Sequence, residues 1–134
     1  ALALSARNAE RNGVLGRMRF FQGDLFAALP EGRYDLIACN PPYIPSGDIA
    51  GLMPEVRDYD PRLALDGGAD GLACYRAIAA GASGRLRAGG WIALEVGAGQ
   101  AGAVAALLGA AGFDPPALIP DLAGIDRVVA AQWR

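Results

Sequence analysis

Tyr34-Asp35-Leu36-Ile37-Ala38-Cys39 runs directly into Asn40-Pro41-Pro42-Tyr43, and the fold of this chain is read from that junction. Tyr34 to Cys39 is an apolar run of strand length, the pattern of a strand buried on both faces. In parallel sheets ligands bind beyond the carboxyl ends of the strands, where the polar turn falls. Asn40 offers a carbonyl acceptor and an amide donor on a short stem. Pro41 and Pro42 fix the backbone and remove two N–H groups, which leaves carbonyls open to a ligand. Tyr43 adds an aromatic face suited to a flat partner. The four residues together form a slot for a planar group bearing an NH2. The Asn40 side-chain oxygen and the Pro41 carbonyl each accept one N–H while Tyr43 stacks on the plane. For a weakly nucleophilic amide nitrogen, such orientation is the main catalytic lever. Asn-Pro also starts ordinary turns, but a turn needs neither the tyrosine nor the strand before it.

Upstream of this junction, apolar spacing predicts a helix over Ala1–Asn12 stopped by Gly13. Met18–Gln22 reads as a short strand ending at a second polar signature, Gly23-Asp24-Leu25. Asp24 there either faces a ligand or caps the segment that follows. Downstream, Asn40 to Gly71 holds five of the nine prolines and no clear periodicity. Connections that long are usually functional. Within it Glu55-Val56-Arg57-Asp58 reads as solvated surface. A helix over Leu72–Leu86, closed by Ala88-Gly89-Gly90, precedes a buried strand over Trp91–Val96. Glu95, near the end of that strand, is a carboxylate of either structural or functional use. Gln100–Ala111 is an alanine-rich helix capped by Gly112, and Leu118-Ile119 with Val128–Gln132 form a closing strand pair. Alternating strands and helices mean an α/β sheet, largely parallel, with helices on both faces.

Composition narrows the chemistry. The 134 residues are one domain's worth, and 53% hydrophobic with 19% charged excludes a disordered tail. A net charge of −2 argues against direct nucleic-acid binding through phosphates. All twelve basic residues are Arg, so imidazole bases, His-ligated zinc and Schiff-base lysines are excluded. Cys39 and Cys74 sit at no metal-ligand spacing, so no metal is expected, and they read as buried free thiols of the reducing cytoplasm. No apolar run approaches the roughly 20 residues of a membrane span.

These residues resemble the S-adenosylmethionine-dependent methyltransferases of the Asn-Pro-Pro-Tyr type. Within them the chain is similar to the bacterial release-factor glutamine methyltransferases. The likeness runs through Asn8-Ala9, Gly23-Asp24-Leu25, Tyr34-Asp35-Leu36-Ile37 and Asn40-Pro41-Pro42-Tyr43-Ile44. It continues through Pro54-Glu55-Val56-Arg57, Pro61-Arg62-Leu63-Ala64-Leu65, Gly67 to Leu72 with Tyr75, Leu94-Glu95-Val96-Gly97, Asp121-Leu122-Ala123-Gly124 and Asp126-Arg127-Val128. Asp60 stands before Pro61 where the family has Glu. Asn-Pro-Pro-Tyr alone also admits DNA or RNA adenine methyltransferases. The segment from Pro54 to Leu72 favours the glutamine methylators, and the Asp-Leu-Ala-Gly and Asp-Arg-Val ending favours the release-factor branch.

The resemblance implies a cytoplasmic enzyme using S-adenosyl-L-methionine to methylate the side-chain amide of the glutamine in the Gly-Gly-Gln motif of peptide chain release factors. It implies that Asp24, Leu25 and Asn40 contact the cofactor. It implies that Asn40, Pro41, Pro42 and Tyr43 hold the glutamine amide, with Asn40, Pro41 and Tyr43 as the catalytic set. A non-catalytic module that keeps the half-sheet and binds a partner is the reading from another class.

The fold implied is Rossmann-like, mostly parallel with a C-terminal antiparallel strand. Residues 1–134 would be the C-terminal portion of the catalytic domain. The first two strands, the glycine-rich cofactor turn and an N-terminal helical domain would lie upstream of Ala1, and cofactor binding by the chain alone should be very weak. In the family's strand order, Met18–Gln22 would be third and Tyr34–Cys39 fourth, with the two absent strands between them. The last four strands would form a continuous half-sheet in which the final strand is inserted between its two predecessors.

Overall fold

The computed structural model describes residues 1–134, which divide into two compact units, Ala1–Glu31 and Gly32–Arg134. In the first unit, helix α1 spans Leu2–Arg11, as the apolar spacing predicts. Arg11 in its last turn places a cation at the negative end of the helix dipole. Asn12 closes it, its side-chain amide donating to the Asn8 carbonyl at 2.8 Å. A 3₁₀ turn follows at Leu15–Arg17.

Met18–Gln22 is not the strand the sequence predicts. Met18 is extended (φ −116°, ψ 144°), but every strand of the sheet comes from Tyr34 onward. An extended apolar segment becomes a strand only when a neighbour takes its N–H and C=O groups, and this one has no such neighbour. Gly23–Leu29 folds as successive turns, with Ala27 N–H donating to the Asp24 carbonyl at 3.0 Å. Leu25 is the one non-glycine residue with positive φ, at +42°.

In the second unit, strands β1 (Tyr34–Cys39), β2 (Leu86–Glu95), β3 (Ala117–Pro120) and β4 (Asp126–Gln132) form one sheet in the order β1-β2-β4-β3. The final strand does sit between its two predecessors. β1 pairs with β2 in parallel, and β4 runs antiparallel to both β2 and β3. One ladder of the three is therefore parallel within this unit.

β2 begins at Leu86, so Ala88-Gly89-Gly90 lies inside the strand instead of closing the preceding helix. The ladder skips from Tyr34↔Leu86 to Leu36↔Trp91, which places the glycines in a bulge. Helix α4 accordingly ends early, spanning Ala73–Ala82. Helix α5, Ala101–Ala110, packs against β3, β4 and α4.

The core is built from Tyr75, Ile78, Leu86, Ile92, Leu94, Val96, Val104, Leu108 and Val129, all essentially sealed from solvent. Along β2, Ile92 and Leu94 are buried while Trp91 is 45% exposed, so one face of the strand is covered and the other open. β1 departs from its expected burial on both faces. It is one of the two edge strands, and Leu36 on it is 57% exposed. A strand with one neighbour shields its side chains less than a central one.

Candidate functional site

The long connection from Asn40 to Gly71 folds back on itself. It carries a 3₁₀ turn at Ile49–Gly51 and two one-turn helices, α2 (Pro54–Arg57) and α3 (Arg62–Leu65). Its two ends are tied together by backbone bonds: Ile44 N–H to Leu65 O at 3.0 Å, Gly67 N–H to Ile44 O at 2.8 Å, and Ser46 N–H to Gly68 O at 2.9 Å.

Asp66 is the hub of the tie. It accepts from the Ser46 hydroxyl at 2.5 Å and from the Gly68 N–H at 3.0 Å, and it pairs with Arg62 at 3.1 Å. The Ser46 hydroxyl first, then the Gly68 amide and Arg62, hold its carboxyl below the usual carboxylate range. Asp70 caps the next turn through the Leu72 N–H at 3.1 Å and pairs with Arg76. The Arg76 guanidinium leads in lowering the Asp70 carboxyl to about 2. The Glu55–Asp58 stretch is exposed except for half-buried Val56, as read from the sequence, with Arg57 bonded to Asp58 at 2.7 Å.

The tie brings Asn40, Pro41, Tyr43 and Ile44 together with Ala64 and Leu65 around a pocket of about 270 Å³. Small-molecule pockets begin near 300 Å³, so the space suits a side chain better than a nucleoside. No lining residue is charged. Asn40, one residue past β1, is exposed and its side chain makes no hydrogen bond within the protein. Pro41 is buried, and Pro42 and Tyr43 are half-buried. Pro42 belongs to the turn without lining the pocket.

Gln100, at the start of α5, is a site residue that the sequence reading missed. Its side-chain oxygen accepts the Gly97 N–H at 3.0 Å, and its amide donates to the Tyr43 carbonyl at 2.9 Å. Glycines permit this crowding. A Cβ at Gly97 would stand 3.1 Å from Tyr43 Cδ2, and one at Gly71 (φ +74°) would overlap the Tyr43 carbonyl and lie 2.6 Å from Gln100 Nε2. The available signal was a glutamine three residues past the glycine that ends a strand.

Glu95 has a structural use through its backbone. The Tyr75 hydroxyl donates to the Glu95 carbonyl at 2.7 Å, and burial raises that phenol above its ordinary range. Cys39 and Cys74 form no disulfide, both are half-buried, and burial raises the Cys39 thiol. Asp24 and Leu25 lie in the first unit, Asp24 exposed and Leu25 half-buried. No helix is long and apolar enough to cross a membrane.

A polar, proline-stiffened turn thus stands past a parallel strand, beside a pocket with no charged wall. The family model for the methyltransferase small domain matches residues 1–52, which include both Asp24-Leu25 and Asn40–Tyr43. The particular relatives are narrower in kind. The chain is 49% identical over 132 residues to the release factor glutamine methyltransferase of Geobacter sulfurreducens, covering 98% of this chain and 46% of that protein. It is 52% identical to the enzyme of the same description from Cereibacter sphaeroides, covering 98% and 47%. Among solved structures, the protein-(glutamine-N5) methyltransferase (release factor-specific) of Alicyclobacillus acidocaldarius is 31% identical, with a TM-score of 0.48 over 76% of this chain and 50% of that one. The chain is thus similar along almost its whole length to release factor glutamine methyltransferases, and it spans just under half the length of these curated relatives.

Proposed function

We propose that this chain forms the acceptor side of a methyltransferase that acts on the side-chain amide nitrogen of the glutamine in the Gly-Gly-Gln motif of peptide chain release factors. S-adenosyl-L-methionine is the methyl donor in this reading. The observation that carries it is the unpaired Asn40 amide at the carboxyl end of a parallel strand, beside a neutral pocket of side-chain size.

The Asn40 oxygen and the Pro41 carbonyl each accept one amide hydrogen of the glutamine. Tyr43 covers the amide plane, so the nitrogen is turned toward the donor. Restricting the amide to one orientation lowers the barrier without a strong base. When bound, S-adenosyl-L-methionine supplies an electrophilic methyl on a sulfonium. Methyl transfer would replace one amide hydrogen, released as a proton to solvent along the hydrogen bond to the Asn40 oxygen or the Pro41 carbonyl, and a pocket without charged walls would suit a reaction in which the sulfonium becomes a neutral thioether.

Each unit carries residues whose own chemistry suits part of that donor. The exposed Asp24 carboxylate can accept from an adenine amino group, and Leu25 offers apolar contact from a backbone conformation that leucine seldom adopts. Asn40 serves both cofactor and substrate. Relatives described as release factor glutamine methyltransferases, at about half identity over 98% of the chain, support the choice of substrate.

The test supplies methyl-labelled donor with either a release factor or RNA. Because the chain alone is expected to hold the donor weakly, the donor is supplied in large excess; label in the release-factor glutamine is then expected, and label confined to RNA would overturn the reading in favour of an adenine acceptor.

A further inference from the structure

We propose that Gln100 is a positioning residue, which fixes Tyr43 as a wall of the acceptor pocket by bridging the Gly97 N–H and the Tyr43 carbonyl. The inference rests on the reading that a glutamine amide enters that pocket. Tyr43 is held at its carbonyl by the Gln100 amide at 2.9 Å, and its ring packs where any side chain on Gly97 would crowd it.

Gln100 is itself anchored at both ends. Its backbone N–H donates to the Gly97 carbonyl at 3.1 Å, and its carbonyl accepts the Val104 N–H at 3.0 Å, the first bond of α5. The bridge requires an acceptor toward Gly97 and a donor toward Tyr43, at the reach of three side-chain carbons. A carboxamide supplies both at once, whereas a carboxylate supplies only acceptors. Because Tyr43 is the aromatic face of the slot, rotating it would misalign the bound amide without removing any group that touches it. That loss falls on the oriented, reactive complex, so it lowers kcat more than it raises KM.

Two substitutions in the full chain separate the possibilities. Gln100→Glu keeps shape and the acceptor but loses the donor, and Gln100→Leu loses both. Methyl transfer to a release factor is measured below the unfolding temperature, and the Tyr43 ring is followed by NMR with ¹³C-tyrosine, assigned through Tyr43→Phe. Both variants should lose about tenfold in kcat with KM within about twofold of the parent, and both should shift the Tyr43 ring signal. Wild-type kcat in Gln100→Glu, or an unmoved Tyr43 signal in both variants, would overturn the proposal. If the parent chain, given a large excess of the methyl donor, transfers no methyl to any glutamine, the underlying reading fails, and the Tyr43 signal alone then decides whether Gln100 positions it.

Discussion

Replacing Gly71 with alanine probes how tightly the pocket wall is built. The residue has φ +74°, and an added Cβ would overlap the Tyr43 carbonyl and reach 2.6 Å from Gln100 Nε2. Two costs add. An L-residue held in the left-handed region costs about 1–2 kcal/mol. Pushing the Gln100 amide off the Tyr43 carbonyl forfeits a hydrogen bond worth about 1 kcal/mol. The expected loss is about 2–3 kcal/mol.

Gly124 supplies the control, because it has φ +81° with nothing within 4 Å of an added Cβ. Gly124→Ala should therefore lose only the conformational part. Urea unfolding followed by tryptophan fluorescence reads both, since Trp91 and Trp133 each lie in the second unit. With a slope of about 1.5 kcal/mol per molar, the Gly71→Ala midpoint should fall by about 1.3–2 M and that of Gly124→Ala by about 0.7–1.3 M, a difference of about 0.7 M between the two. Equal midpoints for the two variants would refute the claim that Gly71 is required by close approach to Tyr43 and Gln100.

Three further outcomes are expected. Asn40→Ala should lower kcat about 100-fold, as removal of an orienting hydrogen-bond partner does. Its urea midpoint should stay unchanged, because the side chain is exposed and unbonded. Tyr75→Phe should cost about 1 kcal/mol through the bond to the Glu95 carbonyl. Burial raises the Tyr75 phenol in the folded state, so the parent protein keeps this contribution below pH about 10 and loses it as the pH rises further, and the variant should lack that alkaline slope. The Asp70 carboxyl is lowered to about 2, so its pairing with Arg76 contributes above the ordinary carboxylate range and is lost as the pH falls toward 2, which a carboxyl-carbon NMR titration would read.

Most of the fold was legible because its strands are carried by runs that can be little else. Tyr34–Cys39 lies as predicted, and the closing hairpin of β3 and β4 matches Leu118-Ile119 and Val128–Gln132 to within a few residues. Met18–Gln22 misled because its residues favour a strand while the ladder that would make it one is a non-local property. Ala88-Gly89-Gly90 misled because glycines that end a helix and glycines that form a bulge look alike in sequence. α2 and α3 escaped notice because each has only four residues, about one turn, too short to show a period.

At the site, Asn40, Pro41 and Tyr43 were readable from their chemistry and do line one pocket. Ala64 and Leu65 were not readable as its far wall, because the bonds linking Ile44 to Leu65 and Gly67 bring them there across some twenty positions of sequence. Gln100 was unreadable for the same reason: its partner Tyr43 lies 57 residues away.

The central claim is that the Asn40–Tyr43 turn orients a glutamine amide for methylation. Its most direct test is mass spectrometry of a release factor incubated with the protein and a large excess of S-adenosyl-L-methionine, which offsets the weak donor binding expected of the chain alone, beside a matched Asn40→Ala sample. One added methyl group on the glutamine of Gly-Gly-Gln, lost in the variant, is the predicted result. Methylation at another residue, or equal methylation by Asn40→Ala, would contradict it.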